Sequence, residues 1–258
     1  MKDRRNRDSN KSSGNDDVVI GKNAVLEALT AKIPAKELYI QKDGIVDKKV
    51  KAAINLAKAQ DVAIKEFPRR GLDDLAGSKH HQGVLLKTKP FNYTPIDRIF
   101  KIAQKPALII AIDGITDPQN LGAIIRSAAA FGVAAVVLPE RRNASIGGSV
   151  WKSSAGAAAR MQVAQVTNLN RAIEDVQEKG YFVVGLDGES EVFISEMKVA
   201  TEPIMIIVGS EGKGLSRLTR EKCDLVVKIP MRSTTESLNA SVATSIALFA
   251  VDEARNGK

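Results

Sequence analysis

The sequence predicts an α/β fold built on a parallel sheet, and three features predict it. Six strand-length runs of mainly Val, Ile, Leu and Ala recur in the C-terminal part, at 107–112, 133–138, 162–166, 182–186, 204–208 and 225–229. Most of them are separated by helix-length segments. The runs are near-continuously apolar rather than alternating, which is the pattern of strands covered on both faces. In such sheets ligands gather at the carboxyl ends of the strands, so chemistry is expected in the loops that follow these runs.

A smaller α/β unit precedes this sheet. Residues 18–20 read as a short strand, and Ala24, Val25, Ala28 and Leu29 then fall on one helix face. Leu38-Tyr39-Ile40 is a second strand, and Val46, Val50, Ile54 and Ala57 recur at helical spacing. The runs 62–67 and 83–86 read as further strands. Lys89-Pro90-Phe91-Asn92-Tyr93-Thr94-Pro95 then breaks the periodicity. Residues 1–16 hold nothing aliphatic after Met1, too little to offset the entropy of ordering. The expected organisation is therefore a disordered basic tail over 1–16, a small α/β unit over 17–90, a linker over 91–105 and the main sheet domain over 106–258.

Composition narrows the function classes. No apolar run approaches the roughly 18 residues of a membrane span, and the N-terminus lacks a secretory apolar core. The single cysteine, Cys223, excludes an internal disulfide framework and fits a reducing cytoplasm. With two histidines and one thiol, no metal-ligand spacing stands out. The net charge of +8 and the pI near 9.5 point to an acidic partner, because lysine and arginine release counterions when they neutralise phosphates. Aromatic residues are 4% of the chain, too few for an extensive base-stacking platform. Recognition of folded RNA through backbone and shape fits better.

Three loops carry candidate chemistry. In the first, Asp117 precedes Pro118, an N-cap with proline at the first helical position. Leu121, Ile124, Ile125 and Ala128 form the apolar stripe of that helix, and Arg126 lies on the opposite side, free to face a phosphate or to be solvated. Asn120 is a candidate polar group or a turn residue. In the second loop, Gly209-Ser210-Glu211-Gly212-Lys213-Gly214 directly follows a strand, and its glycines let the backbone approach a ligand closely. Their order is wrong for a dinucleotide fingerprint and for a Walker A loop, which needs glycine at Ile207 and Ser or Thr at Gly214. The third stretch runs from Ile229-Pro230-Met231 to Ser237-Leu238-Asn239-Ala240-Ser241. Ser237 is the expected N-cap of a helix whose buried face is Leu238, Val242, Ile246 and Phe249. Free N–H groups in its first turn, near Asn239 and Ser241, attract an anion or a carboxylate.

Taken jointly, Asp117-Pro118-x-Asn120-x-Gly122-x-x-x-Arg126, then Gly209-Ser210-Glu211-Gly212-x-Gly214, then Ile229-Pro230-Met231 with Ser237-Leu238-Asn239-x-Ser241-Val242-Ala243, resemble the three motifs of the SpoU (TrmH-like) family. These are the 2′-O-ribose methyltransferases of the SPOUT superfamily, and the resemblance covers residues 106–258. Gly21-Lys22-Asn23-Ala24-Val25 and His81-Gln82-Gly83-Val84 are similar to the substrate-binding domain of the branch that methylates a guanosine in 23S ribosomal RNA. That domain in turn resembles ribosomal proteins that bind RNA turns.

The resemblance implies a C-terminal trefoil knot, which general topology rules would not suggest. It implies a cytoplasmic homodimer that uses S-adenosylmethionine, held near Gly209, Ile229, Met231 and Leu238. Asn120, Arg126, Glu211, Ser237 and Asn239 would shape the catalytic pocket. This chain has Ser233 where many relatives carry glycine. His80 and His81 are expected to be RNA-contacting or structural, and Trp151 and Cys223 to pack in the second domain. Asp187, at a strand end, is a cofactor neighbour or a turn carboxylate. Two alternatives remain open: a transfer RNA or resistance-type ribosomal RNA methyltransferase, and an assembly factor that keeps the fold without turnover.

Overall fold

The computed structural model describes residues 17–103, 106–232 and 237–257. The chain divides into two compact units, one of Met1–Phe91 with Ile146–Lys152, the other of Asn92–Ser145 with Ser153–Lys258. The tail over 1–16 and Ser233 fall outside the described residues.

The first unit runs β1 (Val18–Ile20), α1 (Lys22–Thr30), β2 (Ala35–Gln41), α2 (Lys48–Ala59), β3 (Ala63–Phe67), α3 (Arg69–Ala76) and β4 (Val84–Thr88). Its sheet has the order β1-β4-β2-β3. Strand β4 is antiparallel to both neighbours, while β2 and β3 are parallel. Ala24, Val25, Ala28 and Leu29 are buried on α1, as their spacing requires. Asp47 starts α2 by accepting from the backbone N–H of Lys49 and Val50, both at 3.0 Å. Helix α3 is short, and its apolar stripe is the single i, i+3, i+4 set Leu72, Leu75 and Ala76, too brief to stand out between Gly71 and Gly77 in the sequence. His81 is structural: it is buried, its Nδ1 accepts from the Gly83 N–H, and its Nε2 donates to Asp73 at 3.0 Å.

The second unit runs α4 (Ile96–Ile102), β5 (Leu108–Asp113), α5 (Pro118–Ala130), β6 (Ala135–Pro139), α6 (Gly148–Ser153), β7 (Val163–Val166), α7 (Leu169–Glu178), β8 (Phe182–Leu186), β9 (Ile204–Gly209), α8 (Arg217–Lys222), β10 (Leu225–Val227) and α9 (Ala240–Asn256), with most of α6 counted in the first unit. All six strands expected from the sequence form, in the order β10-β8-β9-β5-β6-β7, and every pairing is parallel. Ile109, Ala111, Val183 and Ile207 pack with Ile173 and Val176 of α7 in one core. Helices α5 and α9 pack together, with the Ser127 and Ser245 hydroxyls 2.8 Å apart.

Three expectations need correction. The stretch 91–105 is not simply a connector, since α4 places Ile99 fully buried in the core and Thr94 donates to Val163 O and Gln162 Oε1, each at 2.8 Å. Ile96, Ile99 and Phe100 supply an i, i+3, i+4 stripe that the prolines around it obscured. Trp151 belongs to the first unit, its ring centroid 5.6 Å from that of Phe91. The third correction concerns α9, which starts at Ala240 with Asn239, not Ser237, as its N-cap. Asn239 Oδ1 accepts from Ser241 N at 3.0 Å and Val242 N at 3.3 Å. The buried face is Ala240, Thr244, Ala247, Leu248 and Val251, whereas Val242 is 46% and Phe249 54% exposed. Ala240, Thr244 and Ala247 are small, so large apolar side chains do not mark this face in the sequence. Near the end of α9, Arg255 donates to the carbonyls of Pro106, Ala200 and Glu202, tying the last turn to the segments that enter the neighbouring strands β5 and β9. Among the described residues no helix is long and apolar enough to cross a membrane.

Candidate active site

The carboxyl ends of β8, β9 and β5 are adjacent in the sheet, with β10 beside β8. The loops leaving these four strands build the site. After β5 the chain turns at Gly114, whose φ of +86° suits a residue without Cβ. Asn143 Oδ1 accepts from the N–H of Gly114 and Ile115, at 3.1 and 2.9 Å, and so fixes this loop. Sequence reasoning passed over Asn143, because an asparagine in a polar loop looks like an ordinary turn residue. Asp117 then caps α5 through Gln119 N at 2.9 Å, as expected. Leu121, Ile124, Ile125 and Ala128 are buried, and Arg126 is exposed on the opposite side.

The loop after β9 closes on itself. Ser210 and Gly214 exchange both backbone hydrogen bonds at 3.0 Å, and Gly212 turns the chain between them with φ +76°. A Cβ on Gly209 would lie 2.2 Å from the Gly214 carbonyl carbon, so no side chain fits there. Asp113, at the end of β5, accepts from Ser216 N at 2.9 Å and ties this loop's exit to the central strand.

Polar groups from all three sequence motifs meet at one carboxylate oxygen. Glu211 Oε1 accepts from Asn120 Nδ2 at 2.9 Å, Asn239 Nδ2 at 2.5 Å and Ala240 N at 3.3 Å. Asn239 Nδ2 also donates to Asn120 Oδ1 at 2.9 Å. The carboxylate therefore sits at the N-terminus of α9, where the helix dipole favours negative charge. These residues are 91 and 28 positions apart from Glu211 in the chain, so only the fold brings them together.

Next to this cluster lies a cavity of about 510 Å³. Gly209, Ile229, Met231 and Leu238 line it, as do Glu211 and Ser237. Its apolar wall comes from Leu186, Val208, Leu215 and Ala243, and its charged rim from Asp187, Glu189, Arg217 and Arg220. Asp187 is a turn carboxylate that also faces the cavity. It accepts from Glu189 N at 2.9 Å as a turn carboxylate and lines the cavity 3.6 Å from Arg220. The volume, the apolar walls and the charged rim suit a nucleoside-sized ligand. Arg126 stands apart: it is not on the cavity wall and has no hydrogen bond or ion pair among the described residues.

Cys223 lies behind the cavity wall, its Sγ 2.9 Å from where a Gly185 Cβ would fall, and donates to Thr219 O at 3.2 Å. Burial, then the carboxylates of Asp224, Asp113 and Asp187, push the thiol from 9.0 to about 12. The folded chain keeps this proton where the unfolded chain loses it. The thiol's contribution to stability is thus intact below pH 9.0 and lost as pH rises toward about 12. Since the thiolate is the reactive form, iodoacetamide at pH 8 should label the native chain about 10³-fold more slowly than the denatured one. Equal rates would show that the thiol is not held in this way.

Residues 107–249 match the SpoU rRNA Methylase family, and residues 18–94 match a family described as RNA 2′-O ribose methyltransferase substrate binding. The chain is 45% identical over 248 residues to an uncharacterized tRNA/rRNA methyltransferase of Mycolicibacterium vanbaalenii, covering 95% of this chain and 79% of that protein. A counterpart in Mycolicibacterium smegmatis is also 45% identical, over 93% of this chain and 77% of the relative. Among solved structures, the SpoU methyltransferase AviRb of Streptomyces viridochromogenes superposes with a TM-score of 0.74 at 25% identity, over 96% of this chain and 93% of that one. AviRb in complex with AdoMet gives a TM-score of 0.72 at 23% identity, over the same shares of the two chains.

Proposed function

The chain belongs to the SpoU rRNA methylase family, and we propose that it methylates a ribose 2′-hydroxyl of structured RNA, with a guanosine of 23S ribosomal RNA as the favoured substrate. It is an RNA methyltransferase, and its methyl donor is S-adenosylmethionine. The observation that carries the reading is the union of Asn120, Glu211 and Asn239 at one oxygen beside the 510 Å³ cavity. A merely structural α/β domain has no need of three distant polar motifs converging at a ligand-sized cavity.

The residues present fit the donor. The cavity offers apolar walls for an adenine ring, close backbone approach at Gly209, Ile229 and Leu238, which line it, and carboxylates at Asp187 and Glu189 for hydroxyl or ammonium groups. When bound, S-adenosylmethionine supplies an electrophilic methyl group on a sulfonium. The chain's own task is then to present a ribose oxygen to it. Glu211 fastens the start of α5 and the loop after β9 to the start of α9, so that Asn120 and Asn239 keep fixed places around Glu211, the one of the three that lines the cavity. Ser237, exposed on the cavity wall, is placed to orient the ribose or the donor. Arg126, on the exposed side of the same helix that carries Asn120, meets the RNA, pairs with a phosphate and stabilises negative charge at the 2′-oxygen.

The reading extends to a C-terminal trefoil knot, a cytoplasmic location and a homodimer. Support for the dimer comes from Val242 and Phe249, apolar yet 46% and 54% exposed on α9. The match of residues 18–94 to a substrate-binding family supports an RNA-binding role for the first unit. A transfer RNA substrate is the second reading, favoured by the joint tRNA/rRNA naming of the relatives.

Mapping 2′-O-methyl groups on ribosomal and transfer RNA from cells with and without the gene tests the substrate. One guanosine of 23S RNA should lose its methyl group in the deletion strain. A loss confined to transfer RNA moves the substrate, and no loss in either overturns the ribose assignment. Calorimetry of the intact chain should show binding of S-adenosylmethionine and none of NAD or ATP.

A further inference from the structure

The first unit carries a second hollow that the methyl-transfer reading does not use. It has a volume of about 610 Å³ and is lined by Lys22, Asn23, Asp47, Lys48, Lys49 and Gln82. Three segments converge there. Gln82 Oε1 accepts from the Lys22 N–H at 3.1 Å, Lys22 Nζ donates to Asp47 at 2.8 Å, and Lys49 Nζ donates to Asn23 at 2.6 Å. Helices α1 and α2 both begin at the hollow, and no side chain caps α1, because Gly21 occupies its N-cap. Asp47 spends its charge on Lys22 and on the first amides of α2. That leaves Lys48 and Lys49 as cations with no carboxylate partner among the described residues.

Beside the lysines stands an unusual apolar group. Ile45 is 85% exposed at the tip of the loop joining β2 to α2, and Val46 next to it is 44% exposed. The loop is not slack: Lys42 N donates to Phe67 O at 2.8 Å, Gly44 N donates to Gln41 O at 3.2 Å, and Asp43 holds φ +57°. An anchored loop that presents a bare aliphatic side chain between lysines is a poor solvated turn. It is well suited to an anionic polymer that also exposes apolar faces.

We propose that Lys22, Lys48, Lys49 and Ile45 form the RNA-docking site of the first unit, the lysines holding backbone phosphates and Ile45 packing against an unpaired base. This rests on the reading of that unit as substrate-binding. Charge complementarity selects RNA over a protein partner, because paired acidic groups account for only one of the three lysines. The scarcity of aromatic residues, 4% of the chain, leaves an aliphatic side chain to contact the base. Aliphatic wedges of this kind are known to fill steps opened in nucleic acids. A bulge or loop offers such a step, and a continuous duplex does not.

Fluorescence anisotropy of the intact chain, with a labelled short RNA hairpin carrying an internal bulge and with its fully paired counterpart, tests the site across a salt series. Lys48→Ala with Lys49→Ala should weaken binding of both RNAs about 10-fold and reduce the salt slope by about 1.4–1.8. Ile45→Ser should weaken only the bulged hairpin, about 5-fold, with no change in slope. All three side chains are exposed, so the thermal midpoint should not move. Unchanged affinity and slope in the double variant, or no RNA binding by the wild-type chain, would overturn the site. So would an Ile45→Ser variant that alters self-association but not RNA affinity, since the patch would then be a protein contact. The two readings fail separately. A chain that binds RNA through these residues but methylates none defeats the reaction assignment alone, whereas full methylation by the double variant at limiting RNA defeats only this site.

Discussion

Replacing Arg126 by alanine is expected to slow methyl transfer by about 10²–10³-fold with RNA and S-adenosylmethionine saturating. A neutral ribose hydroxyl is a weak nucleophile, and negative charge builds on its oxygen as the bond to the methyl carbon forms. No histidine lies in the three motifs, so the commonest general base is missing. A guanidinium does not readily give up its proton, which makes a base role for arginine awkward. Its better use is electrostatic, holding a phosphate with one edge and the developing oxyanion with another.

The structure sharpens this expectation in two ways. Arg126 is outside the cavity wall, so its removal should leave the affinity for S-adenosylmethionine within about twofold, far inside the tenfold that 1.4 kcal/mol represents. It is also exposed on a helix fixed by the burial of Leu121, Ile124, Ile125 and Ala128, so the thermal midpoint should hardly move. Single-turnover rates separate the chemistry from product release. Arg126→Lys keeps the charge but not the planar fork, and should recover only part of the rate. A near-wild-type rate in Arg126→Ala would remove this residue from the mechanism.

How much of this was legible beforehand depends on what kind of force placed each element. The central strands β5, β6, β8 and β9 were readable because near-continuous burial demands continuous apolar runs, and the half-buried edge strands β7 and β10 because short Val and Leu runs at regular spacing extend the same rhythm. The α5 cap was readable because Asp117 and Pro118 are local signals. The buried face of α9 is not legible in the sequence, because it joins the small Ala240, Thr244 and Ala247 to Leu248 and Val251 and leaves the larger Val242 and Phe249 exposed. Its true cap, Asn239, was hidden by an equally plausible Ser237 two residues earlier. Helix α4 was missed because its stripe is short and framed by prolines. The motif residues could be named from their resemblance, but not their geometry. Nothing local in Asn120 or Asn239 says that both turn toward the same oxygen of Glu211. Asn143 shows the same gap, since its role exists only once Gly114 and Ile115 are beside it.

That shared oxygen sets up the second large effect. Glu211→Ala is expected to lower both cofactor affinity and single-turnover rate, the rate by at least about 10²-fold, a loss typical when reacting groups lose their alignment. The substitution leaves Asn120 Nδ2, Asn239 Nδ2 and Ala240 N without their common acceptor. The loop between Ser210 and Gly214 stays closed by its own backbone, but it is no longer fastened to α5 and α9. Glu211→Gln is the informative partner. Its amide oxygen can occupy the Oε1 position and receive the same three donors, so a positioning role predicts a rate within about 10-fold of wild type. A general base makes the opposite demand, because an amide cannot accept the hydroxyl proton whatever its geometry. The two variants therefore divide the roles. A collapsed alanine variant beside an active glutamine variant makes Glu211 the fastener of the three loops and leaves charge stabilisation to Arg126. Equal collapse in both, with S-adenosylmethionine still bound by the glutamine variant, would instead place the base at this carboxylate.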